Sequence, residues 1–420
     1  MEDNNLLTLP IEDEANAIIK VMGIGGGGCN AVNYMYSQGI ADVSFLVCNT
    51  DRQVLAKSSV PAKLQLGDAG LGAGGDPSVA EQYARDSAEK IEEALNDGTK
   101  MLFLTAGMGG GTGTGASAPV AEIARKKGIL TVGIVTIPFA FEGQKKIRKA
   151  LTGVAKLAEH VDALLVINNE KLKKIYPDLD FLNAFSKADD VVCNAARSIA
   201  EIITVPGYIN TDFADVYNTL KDGHVAIMNV GRASGENRIT KAIEDALNSP
   251  LVNTNDVHGA KRVLLQFYCS REFAIQMQEI DQINAFVNEV GDEVDVQWGA
   301  SLDESLGEDV RVTIIATGYE VSDIPVLEDI AGKPTVDDAI RTNYTEPKEP
   351  QKEDEQPAEL DLSTAIDTTP SEPATATSAF DGPHLDMSDS DDGTIVIQDT
   401  EETPKPAAAP RGFGRWRRRS

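Results

Sequence analysis

Basic residues are scarce in this chain of 420 residues: 38 Lys and Arg stand against 66 Asp and Glu, a formal net charge of −28. A folded part built from such a sequence presents no basic face, so nucleic acid is excluded as the main ligand. Long apolar runs are also missing. None reaches the ~20 residues that a membrane span requires, so no direct membrane span is expected. The segment from Met1 to Glu14 is acidic and holds neither the basic start nor the apolar stretch of a secretory signal, so the expected location is cytoplasmic. The four cysteines, Cys29, Cys48, Cys193 and Cys269, are scattered without the paired spacing of a zinc site. Free thiols are expected, with Cys48 and Cys269 in the core because both sit in apolar runs.

Glycine, by contrast, is concentrated. Gly107-Met108-Gly109-Gly110-Gly111-Thr112-Gly113-Thr114-Gly115 follows an apolar run, Met101 to Thr105, that predicts a buried strand, and precedes a helix expected over Ala116 to Lys127. A strand, a glycine turn and a helix start make an anion site. Glycines let the backbone approach phosphate closely, and the unpaired N–H groups of a first helical turn point at it. The two threonines add hydroxyl donors. The same logic holds at Gly23-Ile24-Gly25-Gly26-Gly27-Gly28-Cys29-Asn30, between a strand expected at Ala17–Met22 and a helix expected to begin near Asn30. A third glycine-rich stretch runs from Gly67 to Gly75. Neither main loop carries the Gly-Lys-Ser/Thr of a Walker site. Gly23, Gly25 and Gly28 with Asp51 also fit a dinucleotide fingerprint, which keeps a nicotinamide-dependent dehydrogenase as an alternative. The loop at 107–115 has no place in such an enzyme. Three loops suit a chain of phosphates gripped from several sides.

Apolar runs alternate with helical patterns up to about Phe139. Strands are expected at Val43–Cys48, Ile129–Pro138 and Asp162–Asn168, and helices over Ser78–Leu95 and Lys145–His160. The Ser78–Leu95 helix is expected to bury Val79, Tyr83, Ser87, Ile91 and Leu95. This alternation predicts a doubly wound parallel α/β sheet, with ligands beyond the carboxyl ends of the strands. A long helix follows at Phe181–Ile203, marked by Phe185, Val192, Ala196, Ile199 and Ile203, then a loop at Thr204–Thr211. Beyond it, strands at Val225–Val230, Arg262–Cys269 and Val310–Thr317 and helices at Asn237–Leu247 and Ile275–Val290 predict a second, smaller α/β domain. The resulting division is a flexible N-terminus (1–14), a nucleotide domain (15–184), a central helix (185–205), an acidic loop and helix start (206–220), the second domain (221–325), an acidic linker (326–410) and a basic tip (411–420). From Arg341 to Pro404 there are 17 acidic and 3 basic residues, half the net charge of the chain, with only Tyr344 and Phe380 as aromatics. Such a segment is too polar to fold alone. The tip, with Arg411, Arg415, Arg417, Arg418 and Arg419 around Phe413 and Trp416, suits docking to another protein or an anionic surface.

Asp212 and Asp215, in Asn210-Thr211-Asp212-Phe213-Ala214-Asp215, stand three apart at a helix start and so face one way. Taken alone, Asp212 as N-cap and Asp215 in the first turn are ordinary helix-start chemistry. The alternative is that the pair, with Asn210, orients water or a cation for attack on a phosphate. If the pair only caps, the chain is a nucleotide-bound scaffold without hydrolysis.

Together, GIGGGGCN, GGGTGTG and NTDFAD, in this order and spacing, resemble the FtsZ family of tubulin-like GTPases of bacterial cell division, over about Ala17 to Thr317. The resemblance implies a tubulin-like fold and a GTPase that polymerises head to tail into the ring formed at midcell. It implies that Gly26, Gly27, Gly28, Cys29 and Asn30 hold phosphates and ribose or base, that Gly109, Gly110, Gly111, Thr112, Gly113 and Thr114 cradle the phosphates, and that Gly72, Ala73 and Gly74 approach the γ-phosphate. Glu142 would bind ribose. Lys146 stands where the family has arginine, keeping the charge and losing the bidentate fork. Asp190 would accept from guanine N1 and N2, with Phe185 stacked on the ring, and Asp189 replaces the family's asparagine beside it. By the same resemblance, Asp212, Asp215 and Asn210 of one subunit complete the site of the next and are catalytic. Expected cofactors are GTP/GDP and Mg2+ held through the phosphates, and a monovalent cation is possible in the family. Expected partners are the chain itself and, through the C-terminal tail, membrane-tethering and regulatory proteins of the division ring.

Overall fold

The computed structural model describes residues 7–8 and 17–319, apart from 177, 179, 206, 210, 249–258 and 292. The expectations for residues 1–6, 9–16, Asn210, the linker and the basic tip lie outside the described residues. Strand β1 (Leu7–Thr8) comes first. Then follow β2 (Ile19–Ile24), α1 (Gly25–Ser37), β3 (Val43–Asn49), α2 (Arg52–Lys57), β4 (Lys63–Gln65), α3 (Pro77–Asp86), α4 (Ala88–Ala94), β5 (Met101–Gly107), α5 (Thr112–Lys126), β6 (Leu130–Ile137), α6 (Gln144–Ala158), β7 (Ala163–Asn168) and α7 (Asn169–Ile175). Helix α8 (Phe181–Thr204) leads to β8 (Gly207–Ile209), α9 (Phe213–Leu220), β9 (His224–Ala233), α10 (Arg238–Leu247), β10 (Arg262–Cys269), α11 (Met277–Val290), β11 (Asp295–Leu302) and β12 (Val310–Tyr319).

The strands form one sheet in the order β1-β4-β3-β2-β5-β6-β7-β9-β12-β10-β11-β8. From β4 to β7 every pairing is parallel. These strands are buried along nearly their whole length and largely apolar because helices cover both faces. Alternate residues separate cleanly: Ile19, Val21, Met101 and Phe103 pack toward α1 and α8, whereas Met22, Ile24, Leu102 and Leu104 pack toward α4, α5 and α6. The chain winds outward from β2 through β3 to β4 and then returns to place β5 on the other side of β2. The switch point therefore lies between β2 and β5, where a doubly wound sheet leaves a crevice for ligand. Beyond β7 the pairing changes. β9, β12 and β10 are antiparallel, β11 runs parallel to β10, and β7 meets β9 over only Ala163↔His224 and Leu164↔Val225.

Several expected boundaries shift for physical reasons. Helix α1 begins at Gly25 rather than near Asn30, and α5 begins at Thr112 rather than Ala116. Glycine disfavours helix interiors, yet at particular positions in these helix starts a side chain has no room: a Cβ on Gly28 would run into the Thr105 carbonyl oxygen, and one on Gly113 into that of Gly107. The helix expected over Ser78–Leu95 is broken at Ser87, whose hydroxyl accepts the Gly67 N–H at 2.9 Å and so holds the start of the third glycine stretch. In α3, Ala80 and Ala84 face inward and Val79 is exposed. The loop expected at Thr204–Thr211 contains β8, which ends the sheet against β11. Val192, Ala196 and Ile199 of α8 are buried as expected, and all four cysteines are free and buried.

Candidate functional site

Four segments meet beyond the carboxyl ends of the parallel strands. The first turn of α1 lies against the turn after β5, where a Cβ on Gly27 would stand 3.1 Å from the Gly107 Cα. The Gly67–Gly75 loop reaches the same place, since a Cβ on Gly111 would stand 3.0 Å from the Asp76 nitrogen. Gly109 takes φ +99, and a Cβ there would come 2.8 Å from the Lys146 carbonyl oxygen, which brings in the start of α6. Thr50, at the end of β3, places its hydroxyl 2.7 Å from that of Thr112 and accepts the Gly72 N–H at 3.0 Å.

The N-termini of α1 and α5 converge here, and neither has a side-chain cap or an acidic residue in its first turn. Their first-turn N–H groups are left for something outside the chain, and two aligned helix dipoles make that something an anion. Gly26, Gly74 and Gly110 carry the same message. A Cβ at any of the three would meet nothing within 4 Å, and Gly26 and Gly110 do not use positive φ. Packing within the chain does not demand glycine at Gly26 and Gly110; a ligand pressed against the backbone would.

The other expected residues take distinct places. Gly28 and Cys29 are buried, and Asn30 is exposed. The Cys29 thiol turns inward toward the carbonyls of Gly23 and Cys48, and burial pushes it up to about 12, so it is no nucleophile at neutral pH. Ala73 is buried and its carbonyl accepts the Asp76 N–H. The Thr114 hydroxyl accepts the Gly109 N–H at 2.8 Å and braces the turn, and Gly113 packs under it against Gly107. Glu142 accepts the Phe139 N–H with one oxygen and meets the Lys146 amine at 3.2 Å with the other. Phe185 packs edge-on to Phe139 at 5.2 Å beside the half-exposed Phe141, which gives a ring-sized apolar wall. Asp190 accepts from Tyr34 of α1 at 3.2 Å and from Lys187. Burial pushes the neighbouring Asp189 carboxyl up to about 7. Asp51, the acid of the dehydrogenase alternative, caps α2 by accepting the Gln53 N–H at 2.8 Å.

Sequence reasoning passed over Asn169. Its amide oxygen is buried and has no hydrogen-bond partner, an arrangement that costs free energy unless a ligand donates to it. Its residue follows β7 directly, and the adjacent Glu170 accepts the Ala140 N–H at 2.8 Å, beside the Phe139–Phe185 wall. The position at the carboxyl end of a parallel strand was the signal.

The acidic pair lies elsewhere. Asp212 and Asp215 form a reciprocal capping box: one Asp212 oxygen accepts from the Ala214 and Asp215 N–H groups, and one Asp215 oxygen accepts from the Asp212 N–H. Each carboxylate thus spends one oxygen on the helix and leaves the other free. From Asp190 to Thr204 runs about 21 Å of helix. Lys221 follows the end of α9, and its amine holds the buried Asp162 at the amino end of β7. Among the described residues the hydrogen bonds of both aspartates stay within the start of α9 and none reaches the glycine loops, and α9 is tied to the opposite end of the strands. Among the described residues no group of three or more His, Cys, Asp or Glu is arranged to hold a metal ion, and no helix is long and apolar enough to cross a membrane.

The Tubulin/FtsZ family GTPase domain matches residues 18–177, and the FtsZ family C-terminal domain matches residues 224–320. The chain is 50% identical over 325 residues to the cell division protein FtsZ of Porphyromonas gingivalis, across 76% of this chain and 71% of that protein. It is 44% identical over 309 residues to the cell division protein FtsZ of Coxiella burnetii, across 72% and 79%. Among solved structures it is similar to an empty FtsZ dimer from M. jannaschii, with a TM-score of 0.66 and 37% identity over 76% of this chain and 95% of that one. A GTPgS-bound protofilament of CetZ2 from Haloferax volcanii shares the fold, with a TM-score of 0.62 at 18% identity over 73% of this chain and 94% of that one.

Proposed function

The chain belongs to the tubulin/FtsZ family, and from that premise we propose that its GTP site is divided between two copies joined head to tail. It is a tubulin-like GTPase of the cytoskeletal cell-division class, and it binds guanine nucleotide. In the proposed reading the α1 and α5 N-termini hold the phosphates through Gly26, Gly27, Gly110, Gly111 and Thr112, while Gly72, Ala73 and Gly74 close over the terminal phosphate. Glu142 and Lys146 flank the ribose. Phe185 stacks on the base, Asp190 accepts from its N1 and N2 donors, and Asn169 offers its unpaired amide. A carboxylate suits guanine because guanine presents two adjacent donors there.

The observation that carries the division is the distance between halves. Asp212 and Asp215 sit beyond the far end of α8, while Phe185 and Asp190, beside Phe139 and Tyr34 of α1, lie toward its near end. The free oxygens of the pair can orient and polarise an attacking water only for a phosphate brought by another copy. Mg2+, bound through the phosphates, would offset their charge. The chain's own groups do the rest: loop N–H groups hold the phosphates, and two carboxylates aim the water. The FtsZ dimer and the CetZ2 protofilament among the similar structures support self-association of this kind. Filament growth, the midcell ring and docking of tethering proteins to the tail belong to the same proposal.

Hydrolysis per subunit, measured against protein concentration with light scattering in parallel, tests it. A rate near zero when dilute that climbs with scattering is expected. A rate per subunit that stays flat would mean a self-contained site and would remove Asp212 and Asp215 from catalysis.

A further inference from the structure

We propose that Thr50 is a positioning residue that aims the Thr112 hydroxyl at the bound phosphate, an inference that rests on reading Thr112 as a phosphate ligand. Thr50 follows β3 and lies outside all three glycine stretches. Its side chain is 1% exposed, and its hydroxyl stands 2.7 Å from that of Thr112, the first residue of α5. Its carbonyl accepts the Gly72 N–H, and the next residue, Asp51, pairs with Leu71. One residue therefore touches two of the loops around the cradle, one through its side chain and one through its backbone.

The hydrogen count gives the side chain its direction. Each hydroxyl has one proton to donate. Unliganded, the pair can run either way. Once Thr112 donates to a phosphate oxygen, its proton is committed, so the bond between the two threonines must run from Thr50 to the Thr112 oxygen. A donor that is itself accepting a hydrogen bond is polarised and gives a stronger bond onward. Thr50 is buried and directly follows a strand, so its bond fixes where the Thr112 hydroxyl stands in the first turn of α5.

A double-mutant cycle on nucleotide affinity separates this from a packing role. Thr50→Val keeps the shape and removes the proton, and it leaves the backbone bond to Gly72 in place. It is expected to weaken GTP about tenfold, as is Thr112→Val, and the double variant should be little weaker than either single one. Thr50→Ser should restore binding. Thr50→Ala replaces Thr50→Val in the cycle should the valine variant not fold. If Thr112→Val leaves affinity unchanged, the assignment of Thr112 to the phosphate fails. If Thr112→Val weakens binding while Thr50→Val has no effect, or the two effects simply multiply, the positioning role of Thr50 fails alone.

Discussion

Gly25 and Gly26 are neighbours in the first turn of α1, yet the structure assigns them opposite reasons for being glycine. Gly25 takes φ +73, and a Cβ on it would lie 2.6 Å from the Gly113 nitrogen. Left-handed backbone costs a side-chain-bearing residue about 1–2 kcal/mol, and forcing a methyl into packed surroundings costs about 1–3 kcal/mol more. Gly25→Ala should therefore destabilise the folded protein by about 2–5 kcal/mol, with or without ligand. Gly26 has helical φ, and its Cβ would meet nothing, so Gly26→Ala should leave stability unchanged or raise it by up to about 1 kcal/mol. Its effect should appear only when nucleotide binds. The methyl would occupy the space through which phosphate reaches the N–H groups, and each charge-assisted hydrogen bond lost is worth about 1.5–3 kcal/mol. That converts to a drop in GTP and GDP affinity of about 10- to 150-fold. Thermal unfolding of the nucleotide-free variants, followed by titration with a fluorescent guanine nucleotide, gives both quantities. Wild-type affinity in a stably folded Gly26→Ala variant would refute the assignment of this turn to the phosphates.

Two further substitutions probe the carboxylates. Asp212→Asn keeps a side-chain acceptor for the Ala214 and Asp215 N–H groups and loses the charge, so thermal stability and nucleotide affinity should hold while turnover falls at least tenfold; unchanged turnover would leave Asp212 with its cap alone. Asp189 is raised by burial to about 7, against about 3.9 in an unfolded chain, so the native state holds the extra proton between those values. Its contribution is present below pH ~4 and is lost as pH rises through 7. A three-unit rise is worth at most about 4 kcal/mol. Asp189→Asn should therefore raise the melting temperature more at pH 8 than at pH 5.5, and an identical shift at both would show that the carboxyl ionises without penalty.

The parallel half of the fold was legible because its signal is local. Strands covered on both faces are continuous apolar runs, and Met101 to Thr105 or Val43 to Cys48 admit few other readings. β11 was not seen, because Asp295 to Leu302 alternates polar and apolar residues and so lacks the continuous apolar run that marks the parallel strands. β8 is three residues long and exists through its pairing with β11. The early starts of α1 and α5 were hidden for a different reason. Intrinsic propensity argues against glycine in a helix, and only the close approach of Gly28 to Thr105 and of Gly25 to Gly113 explains it. Among the candidate site residues, the glycines announced themselves as runs. Asn169 and Thr50 did not, because a single asparagine or threonine at a strand end acquires meaning from what lies across the crevice.

The acidic pair shows how a structural explanation and a functional one can both hold. Counted as a cap, Asp212 and Asp215 are fully accounted for: three backbone N–H groups at the start of α9 find acceptors, and the helix start is set. A cap, however, needs one oxygen from each carboxylate, and a carboxylate has two. The remaining pair of oxygens is held at fixed spacing by the bonds the first pair makes, which is the preorganisation that aiming a water requires. The capping box thus supplies the rigidity, and α8 supplies the separation from the cradle. Under the proposed division, a monomer would carry the two halves apart and could not spend nucleotide on its own, and hydrolysis would be a property of the contact between copies. In the same proposal the terminal phosphate would be lost at that contact, so turnover would weaken the joint that made turnover possible.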